Sequence, residues 1–226
     1  MPRLPAAIVF DLDGTLIDSL PDIVAAANRL LAAEGRAPLA PDDVRPMIGD
    51  GAGRLVERVF AARGGLPGPS LDPYLARFVA EYEPRSAELT RPFPGVAATL
   101  GQLRRQGCRL GLATNKPSRA TREVLAAFDL TDLFEAVVGG DEAPALKPDP
   151  RHVSAVLDLL GTPPDAAAFV GDSYNDVTAA HAAGLPCVLV SFGYTRIPVG
   201  DLGAEAVIDD FADLPAALAG LFATTE

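Results

Sequence analysis

From Pro92 onward, short apolar segments alternate with amphipathic ones, and this rhythm limits the fold more than any other feature of the chain. Arg109–Ala113, Ala136–Val138, Ala167–Val170 and Cys187–Val190 are short, rich in aliphatic residues and bounded by turn residues, which predicts buried strands. Between and around them, Gly95–Gln106, Ser118–Phe128, Pro150–Leu160, Asn175–Ala183 and Leu214–Phe222 carry helical spacing, and Ala206–Ile208 adds a short last strand. Strands that alternate with helices need crossover connections, so the expected class is α/β, a doubly wound parallel sheet. The first apolar run, Ala7-Ile8-Val9-Phe10, belongs to the same sheet in this reading.

Between that run and Pro92 the pattern is different. Pro21–Ala33, Pro41–Ile48, Arg54–Arg63 and Leu71–Ala87 have helical spacing, and no convincing strand is found from about Ile17 to Leu89. The expected organisation is a core of residues 1–16 and 90–226, interrupted by a small all-helical cap of residues 17–89. Two nearby crossings between these parts would make a natural hinge.

The formal net charge of −11 over 226 residues argues against a nucleic-acid or anionic-membrane surface, both of which need clustered Lys and Arg. No apolar run approaches the ~20 residues needed to cross a bilayer. Cys108 and Cys187 lie in or beside apolar runs with no CxxC spacing, and no leader pattern precedes the first strand. A cytoplasmic protein with two buried reduced thiols is the expectation. Monomer and homodimer both remain open.

Polar clusters follow the strands. Asp11-Leu12-Asp13-Gly14-Thr15 comes after the first, Thr114-Asn115-Lys116 after Ala113, and Gly171-Asp172-Ser173-Tyr174-Asn175-Asp176 after Val170, while Lys147-Pro148 precedes a helix. Each alone also reads as a turn with capping residues or a solvated charge. In an open parallel sheet, however, the carboxyl ends of strands form the ligand crevice. Asp11, Asp13, Asp172 and Asp176 gathered there would repel one another without a cation, and an all-oxygen donor set suits magnesium, Mg2+. A neutralised phosphate could then be approached by a carboxylate nucleophile, with Lys147 and the Thr114 hydroxyl holding the phosphoryl oxygens.

In this order the four clusters resemble the motifs of the haloacid dehalogenase superfamily of phosphohydrolases, over nearly the whole chain. The helical insert resembles that of its small-cap subgroup. The chain is most similar there to bacterial phosphoglycolate phosphatases, including the segments Ser191–Thr195 and Leu202–Ile208. The resemblance implies that Asp11 is the nucleophile and a metal ligand, and that Asp13 is the acid and base and lends its main-chain carbonyl to the metal. It further implies Asp172 as a direct ligand, Asp176 as a direct or water-mediated one, and Thr114 and Lys147 as the phosphate holders, with Asn115 assisting through its backbone.

The implied activity is magnesium-dependent hydrolysis of a small phosphorylated metabolite, 2-phosphoglycolate first. The alternatives are another small phosphometabolite, a sugar-phosphate mutase, or, outside enzymes, a phospho-accepting signalling domain. In the helical insert, Gly49, Asp50, Gly51 and Arg54 form the candidate specificity loop. Arg54 either reaches a substrate carboxylate or is a solvated arginine at a helix start. Lys116 and Arg119 either add positive potential or are surface charges, and His152 and His181 lack a partner at metal-ligand spacing.

Overall fold

A computed structural model describes residues 4–223; the outermost residues of the expected core, 1–3 and 224–226, lie outside it. Six strands form one parallel sheet: β1 (Ala7–Phe10), β4 (Arg109–Ala113), β5 (Ala136–Val138), β6 (Ala167–Gly171), β7 (Cys187–Val190) and β8 (Ala206–Ile208). Their order is β5-β4-β1-β6-β7-β8, with Ala7 facing Arg109 on one side and Ala167 on the other. The chain builds outward from β1 in one direction, returns, and builds outward in the other. That reversal puts a topological switch point between β1 and β6, where a crevice opens beyond the strand ends.

β1 is buried throughout, and its side chains alternate between two cores. Ile8 and Phe10 pack with α5 (Val96–Arg105), α6 (Ser118–Ala127) and α9 (Leu214–Leu221). Ala7 and Val9 pack with α7 (Pro150–Leu160) and α8 (Tyr174–Ala182) on the other face. The two-residue period of a strand produces this division, and both layers are apolar because crossover helices cover both faces. Burying a side chain such as Phe10 contributes about 1.5–3 kcal/mol.

The segment after β1 holds α1 (Leu20–Ala33), α2 (Pro41–Val44), α3 (Gly51–Ala61) and α4 (Asp72–Tyr82), packed on a further apolar cluster that includes Ile23, Leu30, Val56, Phe60 and Phe78 and takes in Ala120 and Tyr194. Two details differ from the sequence reading. Ile17–Asp18 and Arg91–Pro92 form β2 and β3, a two-stranded antiparallel ribbon where the chain leaves and re-enters the sheet region. Two-residue strands carry no periodicity, which is why none is legible there. The expected helices Pro41–Ile48 and Leu71–Ala87 are shorter. Pro46 and Pro84 have no N–H to give, and the chain tightens into 3₁₀ turns at Arg45–Met47 and Glu83–Arg85.

The ribbon is braced by Asp22 on α1, a buried carboxylate that accepts from Leu89 N (3.0 Å), Thr90 N (2.8 Å) and Thr90 Oγ1 (2.8 Å). Cys108 and Cys187 are buried free thiols, and among the described residues no helix is long and apolar enough to cross a membrane.

Candidate active site

Asp11 is the first residue beyond β1 and Asp172 the first beyond β6, so the two acids flank the switch point. The strands continue pairing up to that edge, where Asp11 N donates to Val170 O at 2.9 Å. One carboxylate oxygen from each of Asp11, Asp172 and Asp176 lies within 4.8 Å of the others, and all three residues are buried. Lys147 Nζ sits among them, 2.8 Å from Asp11 Oδ1 and 2.7 Å from Asp176 Oδ1.

Three buried carboxylates and one ammonium leave excess negative charge. Burial pushes Asp11 up to about 7; Lys147 opposes that rise, while Asp176 and Asp13 add to it. Asp172 is also raised well above the usual carboxylate range, by burial first and then by the charges of Asp176 and Asp11. Lys147 is pulled down by burial, but the two carboxylates outweigh this and hold it above the ordinary lysine value. A donor set made only of oxygen, with uncompensated charge, matches a hard divalent cation rather than a soft one.

The acids differ in how much of each carboxylate is already committed. Asp176 is fully engaged: Oδ1 receives Lys147, and Oδ2 accepts from Asp172 N (3.1 Å), Ser173 N (3.0 Å) and Ser173 Oγ (2.8 Å). It therefore serves as a capping acid of α8 and as a site acid at once. Asp172 accepts from Tyr194 N on Oδ2 at 2.5 Å.

Gly14 permits this approach. It has φ +84°, and a Cβ there would stand 2.6 Å from Asp172 Oδ2; a Cβ at Gly193 would come within 2.2 Å of Asp172 Cβ. Tyr194 extends the clamp, since its hydroxyl donates to Asp18 Oδ1 at 2.6 Å and accepts from Leu20 N at 3.0 Å.

Thr114 and Asn115 leave the end of β4 and are buried. Thr114 Oγ1 accepts from Lys116 N at 3.2 Å. The Asn115 carboxamide, in the orientation its partners dictate, accepts from Lys147 N (2.9 Å) and donates to Lys147 O (2.9 Å) and Gly49 O (2.9 Å). Its side chain, and not only its backbone, thus organises the site. Asp13 is paired through Oδ1 with Lys116 Nζ at 2.9 Å, and Lys116 also contacts the Tyr82 hydroxyl at the end of α4. Lys116 is 5 % exposed, so it is not a surface charge. Arg119 is one: its side chain is 70 % exposed and stands 3.7 Å from Glu83.

The candidate specificity loop divides. Gly49 and Gly51 line the cleft beside Asp11 and Asp13. Asp50 turns instead to Asn175 Nδ2 (2.6 Å), Arg58 and Arg196, three positive or donor groups that hold its carboxyl below the usual value despite partial burial. Arg54 is not brought to the cleft: it lies in the first turn of α3 with its side chain 68 % exposed, paired with Glu57 at 2.7 Å. α3 begins at Gly51, three residues before the expected start, and just ahead of it Gly49 O accepts from Asn115 Nδ2 at 2.9 Å. His152 is buried with Nε2 at 3.1 Å from Val138 O, and His181 pairs with Glu205 at 3.1 Å.

The family model described as haloacid dehalogenase-like hydrolase matches residues 8–190, the span from β1 to the end of β7. The chain belongs to the haloacid dehalogenase-like hydrolases. It is 48 % identical to a phosphoglycolate phosphatase of Caulobacter vibrioides, covering 94 % of this chain and 90 % of the relative. It is 47 % identical to a phosphoglycolate phosphatase of Rhodospirillum rubrum, covering 93 % and 90 %.

The crystal structure of a predicted phosphoglycolate phosphatase from Haemophilus somnus superposes with a TM-score of 0.89 at 33 % identity, over 93 % of this chain and 96 % of that one. The structure of CbbY from Rhodobacter sphaeroides in complex with phosphate superposes with a TM-score of 0.83 at 28 % identity, over 95 % and 99 %.

Proposed function

We propose that this hydrolase is a phosphatase that cleaves a small phosphomonoester, 2-phosphoglycolate first among candidates, to an alcohol and phosphate through an aspartyl phosphate on Asp11. The observation that carries the reading is the convergence of Asp11, Asp172 and Asp176 around Lys147 at the switch point, with Asp13 two residues beyond Asp11 and paired to Lys116. The relatives' names support the substrate.

In the first half-reaction a carboxylate oxygen of Asp11 forms a bond to phosphorus while the bond to the leaving oxygen breaks, and Asp13 gives that oxygen a proton. In the second, Asp13 takes a proton from water, the water oxygen bonds to phosphorus, and the Asp11–phosphorus bond breaks to restore the carboxylate. Lys147 and the Thr114 hydroxyl hold charge on the phosphoryl oxygens, and Asn115 fixes the backbone of Lys147. Asp11, Asp172 and the main-chain carbonyl of Asp13 would hold magnesium. The engagement of both Asp176 oxygens by protein donors favours a water-mediated place for that residue. Bound there, the ion supplies neutralising charge for the phosphate and for the crowded acids.

The helical block of residues 17–89 acts in this reading as the cap, contributing Gly49, Gly51 and Tyr82 to the cleft. The test is a steady-state comparison, with magnesium, of 2-phosphoglycolate against sugar phosphates, nucleotides and an aryl phosphate. A kcat/KM for phosphoglycolate at least about tenfold above the rest, or ~1.4 kcal/mol of discrimination, supports the substrate; equal rates oppose it.

A further inference from the structure

The cleft beyond Asp11 and Asp13 is narrow, offering about 50 Å³, and its walls on the side of the helical block are apolar: Ile23, Ile48, Leu55 and Phe78. Among the described residues lining it, Lys116 is the one cation. This ammonium is 5 % exposed and is held from two directions, by Asp13 Oδ1 at 2.9 Å and by the Tyr82 hydroxyl, with the Tyr82 ring 4.6 Å from Nζ. Tyr82 is itself stacked on Phe78, at 5.6 Å between centroids, which fixes its ring. A lysine ammonium carries three N–H donors; Asp13 and the Tyr82 hydroxyl take two of them, which leaves one for a further anion in the cleft.

We infer that Lys116, positioned by Tyr82, is the specificity residue of this cleft and that it binds a carboxylate on the leaving group of the substrate. The inference rests on the phosphatase reading above and deepens it. The leaving oxygen must come within ~2.6–3.2 Å of Asp13 to receive its proton. Lys116 is one hydrogen-bond length further on, so it reaches groups close to that oxygen and no distant ones. In a two-carbon phosphorylated acid the carboxylate oxygens lie about 2.6–3.6 Å from the leaving oxygen by ordinary bond lengths. A short 2-hydroxy acid can therefore engage Asp13 and Lys116 together, whereas a neutral alcohol of the same length leaves the ammonium unanswered. Arg54, exposed and paired with Glu57, does not compete for this role.

The experiment compares two substrates of matched length, 2-phosphoglycolate and 2-hydroxyethyl phosphate, in the full chain with magnesium and its Lys116→Met, Lys116→Arg and Tyr82→Phe variants. The quantity read is the ratio of their kcat/KM values, because a change in what Asp13 does alters both substrates and largely cancels. The wild type is expected to favour phosphoglycolate at least tenfold. Lys116→Met should lower that ratio at least tenfold, Lys116→Arg should keep part of it, and Tyr82→Phe should lower it about threefold. A preference that persists in Lys116→Met overturns the inference and leaves the phosphatase reading standing, as does a wild type that hydrolyses both substrates equally. A wild type that hydrolyses neither overturns the phosphoglycolate reading on which the inference rests.

Discussion

The side chain of Asn115 grips the peptide groups of Lys147 from both sides, accepting from its N–H and donating to its carbonyl, each at 2.9 Å, across 32 positions of sequence. A lysine placed between two acids is only as well positioned as its backbone. This one is tied to the end of β4 rather than left to a loop.

Asn115→Ala leaves the N–H and carbonyl of Lys147 and the carbonyl of Gly49 without their partner in a buried region. We expect a loss of about 2–4 kcal/mol in urea unfolding and a fall in kcat larger than the change in KM. An unchanged kcat would separate Asn115 from the placement of Lys147.

Gly14→Ala forces a Cβ to within 2.6 Å of Asp172 Oδ2 at a residue with φ +84°. The backbone cost is about 1 kcal/mol, and the displaced carboxylate should weaken magnesium binding at least about tenfold. Isothermal titration with magnesium alone measures this. Wild-type affinity in the variant would contradict the assignment of Asp172 as a ligand.

Asp22→Ala removes the acceptor shared by Leu89 N, Thr90 N and Thr90 Oγ1, and should destabilise the protein by about 2–4 kcal/mol and expose the β2–β3 crossings to protease. Asp22→Asn, which keeps an acceptor oxygen, should lose less. Equal losses in the two variants would argue against the hydrogen bonds as the cause.

Burial, and then the charge of Lys147, depress His152 from 6.5 to about 4. Between those values the unfolded chain binds the proton and the folded one does not. The stability linked to His152 is therefore complete above pH 6.5 and is lost as pH falls toward about 4, up to about 3 kcal/mol. Urea midpoints across that window should fall less steeply in His152→Leu than in the wild type; parallel curves would contradict this linkage.

Much of this arrangement is legible in the sequence because strand ends can be read from patterning, and the residues just past them are then forced to one edge of the sheet. Asp11, Thr114 and Asp172 become visible in this way, as does the parallel α/β class. The Gly14 notch and the Tyr194 clamp are less legible, since they depend on which loops pass Asp172, and that is set by the packing of β1 and β7 on either side of β6. Lys116 has no sequence signal that separates a buried ion pair from an exposed charge. Its burial comes from tertiary neighbours, Tyr82 at the end of α4 and Asp13 beyond β1. Arg54 misleads for the converse reason: a cation beside a glycine loop reads as a ligand until the helix it starts turns it outward.

The central claim is that Asp11 makes the bond to phosphorus, and Asp11→Asn tests it most directly. The substitution keeps the shape of a buried side chain beside Lys147 while removing the nucleophile. With the circular dichroism spectrum and thermal midpoint retained, kcat for phosphomonoester hydrolysis should fall by at least ~10⁴. A folded Asp11→Asn protein that turns over within about tenfold of the wild type would contradict the account.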